Sequence, residues 1–218
     1  PVFRGRPGAG YPWSWNVVPW LAGQVLAAVP VGERTAYAQP LAAALVALHR
    51  PAPPQAPANP WRGVPLAERA REAPPYLTLA QRAFGGAVAA GVERAWRDGL
   101  AAPTWPGPPL WLHGDPHPHN VLVRDGRLAA LVDFGDVTAG DPASDLATAW
   151  LTFDAAGRAA FRHRVDAAGV VDAAGWRRAA AWAAAITVAL LRHSGPGDDW
   201  HALAAHTAHA LAEGPSPG

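Results

Sequence analysis

The spacing of apolar side chains predicts two long helices in the first half of the chain. Residues 35–50 and 77–100 repeat apolar side chains every three or four positions, which places them on one helical face. Pro40 restricts the first turns of the earlier segment, and the Gly85-Gly86 pair weakens the middle of the later one. We therefore expect one helix in each segment.

The second half of the chain is predicted to be mainly helical. Asp141 and Pro142 form a helix start, because Asp caps the first turn and Pro fits the first helical position, so a helix is expected over residues 143–153. Apolar periodicity predicts three further helices, over residues 155–167, 172–193 and 198–213. Two Pro-rich connectors precede this helical half, at residues 51–60 and 103–109.

A short hairpin is predicted between the connectors and the helical half. Residues 121–123 and 128–132 are β-branched or aliphatic, and the Asp-Gly pair between them is a strong signal for a tight hairpin turn. Such a hairpin brings Asn120, before its first strand, back beside Asp133, after its second strand.

The N-terminal region is expected to contribute little regular structure. Residues 13–21 are aromatic-rich and are predicted to be extended, as an edge strand that tolerates Pro19. Residues 1–11 are rich in Gly and Pro and are expected to form a mobile arm.

Composition narrows the class of protein. The 218 residues are 50% hydrophobic with a net charge of +1, which is enough apolar material for a globular core and gives no bulk charge to attract nucleic acid or an anionic membrane. Without Cys, the chain has no disulfide, thiolate catalysis or zinc-thiolate site. The longest apolar run, residues 179–191, is too short to span a bilayer, and no signal peptide is visible, so a soluble, cytoplasmic protein is expected.

The polar residues around the predicted hairpin suit a magnesium site. Asn120 and Asp133 converge at the two feet of the hairpin, and Mg²⁺ takes oxygen ligands from one or two carboxylates together with phosphate oxygens. Asp115 lies five residues before Asn120, outside this pair, and is therefore free to act as a base.

Several linked motifs give these residues a family resemblance. The spacing H-x-D-x-x-x-x-N followed by D-F-G is that of the catalytic and metal loops of protein kinases, with Gly114 where protein kinases usually have Arg. With HGD at 113–115, DFG at 133–135, GDP at 140–142 and DLA at 145–147, the chain resembles the aminoglycoside phosphotransferase family, the small-molecule branch of the kinase-like fold.

The resemblance implies a fold and an activity. It implies an α+β fold, the mainly helical large lobe of a kinase-like protein with a catalytic-loop β-hairpin. Residues 1–22 would be the end of a small lobe and a hinge strand, and residues 23–218 the large lobe. The implied activity is transfer of the γ-phosphate of ATP or GTP, with Mg²⁺, to a hydroxyl of a small molecule such as an aminoglycoside antibiotic.

The resemblance also implies roles for individual residues. Asp115 would accept or orient the proton of the attacking hydroxyl, and Asn120 and Asp133 would hold magnesium. In the hinge, the Pro19 carbonyl and the Leu21 N–H would pair with adenine. Two supporting residues complete the set, His113 as a packed loop anchor and Asp145 as a buried acceptor for the backbone of the catalytic loop.

Six further positions stay open between two interpretations. His117 falls where protein kinases carry a Lys that touches the transferred phosphate, and His119 is expected to be solvated; with His113 the pair also permits a zinc site, the less favoured interpretation. Asp136 either contacts a second metal through water or caps its loop. Tryptophans in or beside irregular segments could line an acceptor pocket; these are Trp61, Trp105 and Trp200.

The acceptor is the weakest part of the prediction. An aminoglycoside is a polycation and needs an acidic pocket, and Asp198-Asp199 is the only acidic pair among the candidate carboxylates, although it is equally a helix cap. The other candidates are Asp154, Asp166, Asp172 and Glu213. A less charged hydroxyl compound, such as a macrolide or a metabolite, remains an alternative.

One component of a kinase-like enzyme is not visible. All 18 Lys+Arg residues are Arg, so the Lys that binds the donor phosphates has no candidate in this sequence. We therefore expect a small lobe outside these residues and little turnover by the chain alone. The alternative is a catalytically inactive kinase-like module that binds nucleotide or regulates a partner; the intact trio Asp115, Asn120 and Asp133 favours the enzyme.

Overall fold

A computed structural model describes residues 1–70 and 74–214. Nine helices are formed there: α1 (Ala38–Leu48), α2 (Leu66–Ala70), α3 (Pro74–Phe84), α4 (Gly86–Leu100), α5 (Ala143–Leu146), α6 (Thr148–Thr152), α7 (Ala155–Asp166), α8 (Ala173–His193) and α9 (Asp199–Ala212). Seven short strands accompany them: β1 (Phe3–Gly5), β2 (Trp15–Val17), β3 (Gln24–Val25), β4 (Leu110–Leu112), β5 (Val121–Arg124), β6 (Arg127–Leu131) and β7 (Thr138–Gly140).

The core forms around α8, which packs against α4 and α9. Many of the residues that α8 buries are alanines, and small side chains let the neighbouring helices approach closely. Larger side chains fill the remaining space, and Trp182 of α8 and Phe161 of α7 are almost completely buried. Removing this apolar surface from water supplies the main stabilisation of the fold.

The strands form three small antiparallel sheets, β1-β2, β3-β5-β6 and β4-β7. In the central sheet Val121 pairs with Leu131 across the hairpin. In the third sheet Leu112 pairs with Thr138, so the chain leaves β4 close to where it enters β7. Both pairings bring residues 113–120 next to residues 132–137, and the site is built from these two stretches.

The predicted hairpin is confirmed, and its turn explains the register. Asp125 and Gly126 both have positive φ, 50° and 71°. A tight hairpin turn of this kind matches the natural twist of the strands, and Asp and Gly adopt it readily. The Val132 N–H donates to the Asn120 carbonyl at 3.0 Å, which fixes the two feet of the hairpin side by side.

The last three helices are confirmed, whereas three earlier predictions are wrong in detail. The segment predicted as one helix over 77–100 is two helices, because Gly85 and Gly86 adopt φ of 61° and 46° and break it. The helix predicted over 35–50 starts as a 3-10 turn at Val31–Tyr37 and becomes α-helical only at Ala38. The helix predicted over 143–153 is divided into α5 and α6.

The N-terminal segment is more ordered than expected. Residues 1–11 are not a mobile arm throughout, because β1 pairs with β2 and the Phe3 and Trp15 rings lie 5.3 Å apart. Most apolar side chains here remain exposed, and Trp20 is 94% accessible. In the described ranges, no helix combines the length and the apolar character that crossing a membrane requires.

Candidate active site

Backbone hydrogen bonds within the catalytic loop, residues 113–120, fix its conformation. The His117 N–H donates to the Asp115 carbonyl and the Asn120 N–H to the His117 carbonyl, each at 2.9 Å. Pro118 opens the 3-10 turn that ends at Asn120, and Pro fits this position because it needs no N–H there. The loop therefore has a fixed shape between β4 and β5.

Asp145 accepts hydrogen bonds from the backbone of the first two residues of this loop. Its Oδ2 accepts from the His113 N–H at 2.8 Å and its Oδ1 from the Gly114 N–H at 2.9 Å. The carboxylate is fully buried, and the Nε2 of His49 contacts Oδ2 at 3.1 Å. The sequence suggested the first two contacts through the resemblance, but nothing near His49 pointed to the third, because its partner lies 96 residues away.

His113 is an anchor rather than a reactive group in this geometry. Its Nε2 lies 2.9 Å from the Val132 carbonyl and its Nδ1 lies 3.3 Å from the Asp115 N–H. Only the neutral ring protonated on Nε2 satisfies both partners. The ring also packs 4.4 Å from Phe134, so His113 ties the catalytic loop to the DFG turn.

Gly114 is required by a close approach of two backbone segments. It has φ of +90°, and a Cβ at this position would lie 2.1 Å from the Asp136 carbonyl oxygen. A side chain would push the DFG turn away from the catalytic loop. This contact explains why the Arg that protein kinases usually carry at this position has no room in this chain.

Asp115 is the one carboxylate of the catalytic loop, and both of its oxygens have a partner. Its Oδ1 lies 3.1 Å from Nη2 of Arg62 and its Oδ2 lies 3.3 Å from Nε2 of His117. Because Nδ1 of His117 accepts from the His119 N–H, Nε2 carries the proton and donates to Asp115. Burial raises the pKa of Asp115, but the His117 hydrogen bond and the Arg62 charge outweigh it, so the pKa is below its usual value.

The sequence reasoning missed Arg62, which reaches the site from the connector between α1 and α2. Its Nε lies 3.6 Å from Asp136, and Asn59, three residues earlier, donates to the same carboxylate at 3.1 Å. The connector is fixed behind Arg62, where the Gly63 carbonyl accepts from the Asp141 N–H at 3.0 Å. No local motif marks these residues, because Arg62 and Asp115 are 53 positions apart. Asp136 thus holds the connector, and its metal role stays a prediction.

Asn120 and Asp133 lie at the two feet of the hairpin, and each has a side-chain oxygen. The Nδ2 of Asn120 donates to the Asp115 carbonyl at 3.0 Å, which fixes the amide plane. Asp133 has φ of 60°, in the left-handed region, and one of its carboxylate oxygens accepts from the Gly135 N–H at 3.2 Å. Residues other than Gly adopt this backbone conformation at a cost in free energy, and such residues cluster at functional sites.

The donor atoms fit magnesium better than zinc. One carboxamide and one exposed carboxylate leave most coordination positions to phosphate and water, the arrangement typical of Mg²⁺. Across residues 1–70 and 74–214, His, Cys, Asp and Glu form no group of three that could hold a metal. The ring nitrogens of His113 and His117 already contact other groups of the protein, so no cluster of ligands supports the zinc interpretation in the described residues.

His119 differs from expectation, because it is half-buried rather than solvated. Its ring packs 4.7 Å from Trp200, which also lies 5.1 Å from the His117 ring. Burial and the nearby His117 lower the pKa of His119, and Asp199 partly opposes them.

Of the tryptophans considered for an acceptor pocket, Trp200 lines a cavity beside Asp115, whereas Trp105 lines a separate cavity at Gly140 and Asp141. Trp61 is half-exposed on the connector.

The remaining predicted residues do not line the cavity beside Asp115. Asp198 caps α9 by accepting from the Trp200 N–H at 3.0 Å, and neither Asp198 nor Asp199 lines the cavity beside Asp115. Pro19 and Leu21 are exposed in the segment between β2 and β3. Since β3 pairs with β5, this segment leads directly to the strand that follows Asn120.

Comparison with known proteins identifies the family to which the chain belongs. The phosphotransferase enzyme family, APH, matches residues 1–182. The chain therefore belongs to this family of phosphotransferases. No functionally curated protein shows significant sequence similarity to it.

Solved structures of phosphotransferases share the fold. A thermostable mutant of aminoglycoside phosphotransferase APH(4)-Ia, in ternary complex with AMP-PNP and hygromycin B, is 21% identical with a TM-score of 0.54, over 99% of this chain and 76% of that one. The apo form of a thermostable mutant of APH(4)-Ia is 21% identical with a TM-score of 0.51, over 91% of this chain and 72% of that one. The apoenzyme of macrolide 2'-phosphotransferase MphH from Brachybacterium faecium is 21% identical with a TM-score of 0.49, over 92% of this chain and 70% of that one. The two APH(4)-Ia structures, with TM-scores above 0.5, establish the kinase-like fold.

Proposed function

We propose that this protein transfers the γ-phosphate of ATP to a hydroxyl of a small, antibiotic-like molecule. The observation that carries the proposal is the arrangement of Asp115, Asn120 and Asp133. All three belong to one rigid loop and hairpin, and the Asp115 carboxylate borders a cavity large enough for part of a small molecule. Phosphoryl transfer depends mainly on such positioning and on charge neutralisation.

Asp115 is the proposed catalytic base. Its low pKa keeps it ionised at neutral pH, so its carboxylate is ready to accept a hydrogen bond from an acceptor hydroxyl. His117 and Arg62 orient the carboxylate from two sides, which restricts where the hydroxyl binds.

Asn120 and Asp133 are the proposed magnesium ligands. A bound Mg²⁺ would neutralise charge on the donor phosphates. The left-handed backbone of Asp133 and the fixed amide of Asn120 orient their oxygens before any ligand binds. The neighbouring APH(4)-Ia structure contains AMP-PNP, an ATP analogue, which supports a nucleotide donor. Pairing of adenine with the Pro19 carbonyl and the Leu21 N–H, and the use of ATP over GTP, are parts of the same proposal.

We also propose that the chain alone turns over slowly. Kinase-like enzymes bind the donor phosphates with a Lys of the small lobe, and this sequence has none. Arg124 and Arg127 lie at the solvent-exposed hairpin turn, away from the loop that carries Asp115. A Lys-bearing small lobe joined to the chain should therefore raise both nucleotide affinity and turnover.

An inactive nucleotide-binding or regulatory module is the second candidate function. It predicts nucleotide binding without phosphate transfer in any longer form of the protein. The contacts that hold Asp115 favour the enzyme, since a module has no use for an oriented carboxylate beside a cavity.

Titration calorimetry with ATP, in the presence and absence of Mg²⁺, tests the nucleotide and metal part of the proposal. We expect weak binding that strengthens with Mg²⁺ in the wild-type chain and loses this dependence in Asp133→Ala. Asp125→Ala, at the exposed turn of the same hairpin, is the matched control and should behave as wild type. Affinity that is equal with and without Mg²⁺ in the wild type would remove Asn120 and Asp133 from the metal site.

A further inference from the structure

The cavity beside Asp115 has a mostly apolar lining. Its volume is about 330 Å³, within the range of small-molecule pockets. Three helices supply its apolar surface: Leu151 from α6, Ile186, Ala189 and Leu190 from α8, and Trp200 and Leu203 from α9. A ligand in this cavity therefore gains its affinity chiefly by burying apolar surface.

The polar residues at this cavity are basic or already paired. Arg62, His117 and His193 line it, and Asp115 is the one carboxylate among the described lining residues. Arg62 and His117 contact that carboxylate at 3.1 Å and 3.3 Å. An ammonium group entering the cavity would meet a guanidinium charge and no unpaired carboxylate, which disfavours cations.

The acidic residues that the sequence offered for a polycation have other structural roles. Three of them cap helices: Asp154 caps α7, Asp172 caps α8 and Asp198 caps α9. Asp166 accepts from the Trp176 indole N–H, and Glu213 pairs with Arg158. Asp199 is exposed in the first turn of α9, and none of the six lines the cavity.

We infer that the acceptor is a predominantly apolar, hydroxyl-bearing molecule with at most one positive charge. Its apolar part binds between α8 and α9 against Trp200, and one hydroxyl lies at Asp115. Polycationic aminoglycosides are poor ligands of this cavity. The inference rests on the proposed function, because it takes Asp115 as the group that receives the acceptor hydroxyl.

Calorimetry with two probes of opposite character tests this inference on the chain itself. Erythromycin is largely apolar, carries several hydroxyls and has one amine, whereas hygromycin B is a polar aminoglycoside with several amines. We expect erythromycin to bind at least about tenfold more tightly, with a negative heat-capacity change and little dependence on salt, as burial of apolar surface predicts.

Two alanine replacements locate the binding. Ala189 lines the cavity and is exposed, so Ala189→Trp fills the space without disturbing the core. It should weaken erythromycin binding at least about tenfold and leave Mg-ATP binding unchanged. Ala202→Trp, at an exposed position of α9 outside the cavity lining, is the matched control and should leave both unchanged. Unfolding curves verify that both variants are folded.

Three results would overturn the inference: tighter binding of hygromycin B, binding of neither probe, or erythromycin binding that Ala189→Trp leaves intact. The Mg-ATP titration separates these results from failure of the proposed function. If Mg-ATP binds as proposed but hygromycin B is preferred, the acceptor class alone is wrong. If Mg²⁺ has no effect on nucleotide binding, the proposed function fails regardless of the probes.

Discussion

The catalytic loop and the N-terminal segment are stabilised in different ways. In the loop, the backbone of His113 and Gly114 is bound to a buried carboxylate, and the side chains of His113 and Asn120 are hydrogen-bonded as well. In residues 1–22, two three-residue strands pair with each other, while most of the large apolar side chains stay exposed.

The difference shows which of the two regions is held in place by its own contacts. The loop is fixed by polar contacts with Asp145 and Val132 and by its own hydrogen bonds, so its geometry exists before any ligand binds. The N-terminal segment has apolar surface that nothing in the described residues covers, and Trp20 is 94% accessible and Trp13 65%. Substitutions should therefore be costly beneath the loop and nearly neutral in the N-terminal segment.

Removal of the Asp145 carboxylate should have the largest effect on stability. Asp145→Ala leaves two backbone N–H groups and His49 buried without their acceptor, which should lower the free energy of unfolding by roughly 3–5 kcal/mol. Urea unfolding measures the change. Asp98→Ala, at an exposed position of α4, should cost less than about 0.5 kcal/mol. Equal losses in the two variants would contradict the scaffold role.

A methyl group at Gly114 should have the next largest effect. Gly114→Ala combines a positive φ with a contact to the Asp136 carbonyl, and we expect a loss of about 2–4 kcal/mol. Gly32→Ala, where an added Cβ meets nothing within 4 Å, should change the free energy of unfolding by less than about 1 kcal/mol. If Gly114→Ala proved as mild as its control, the close approach of loop and DFG turn would be refuted.

We expect the stability of the fold to depend on pH through His206. Burial and the charges of Arg34 and Arg158 lower the pKa of His206 to about 4, against opposing effects of Glu213 and the Phe153 backbone. The unfolded chain binds a proton near pH 6.5, so the contribution of neutral His206 is complete above that pH and is lost as pH falls towards 4.

Replacement of His206 should therefore remove part of the acid sensitivity. Between pH 7 and pH 4.5 we expect the wild type to lose up to about 2 kcal/mol more than His206→Gln, as measured by urea unfolding at each pH. His193→Gln, exposed at the end of α8, is the control and should follow the wild-type curve. Parallel curves for His206→Gln and wild type would exclude the shift.

The N-terminal segment should give the smallest effect. Trp20→Ser removes a side chain that is 94% accessible, so the free energy of unfolding should change by less than about 0.5 kcal/mol. Thermal unfolding provides the measurement. Trp182→Ala, which empties a buried position in α8, should instead cost about 3–5 kcal/mol. A large loss from Trp20→Ser would mean that the segment is packed rather than exposed.

The sequence predicted the features that depend on neighbouring residues. The Asp125-Gly126 turn fixes the hairpin, and the hairpin alone determines that Asn120 and Asp133 are adjacent. The starts of α7 and α8 were also predictable, because an Asp at each start accepts from a backbone N–H three residues on. These contacts span few residues, so a local pattern is sufficient to specify them.

The sequence could not predict contacts that the tertiary fold creates. Arg62 and His49 reach their carboxylates across 53 and 96 residues, and no local spacing encodes such distances. The apolar character of the cavity arises only when α8 and α9 pack together beside the loop. Asp198 is different, because a helix cap was already one interpretation of the Asp198-Asp199 pair and needs only the Trp200 N–H two residues on.

Turnover by Asp115→Asn tests the central claim most directly. The measurement uses this chain joined to a Lys-bearing small lobe of the kind proposed above, with steady-state phosphate transfer from ATP to an acceptor that binds the cavity. We expect kcat to fall at least about 10²-fold with little change in the KM for ATP, because the base acts in the transition state and not in nucleotide binding. Wild-type turnover in Asp115→Asn would contradict the account.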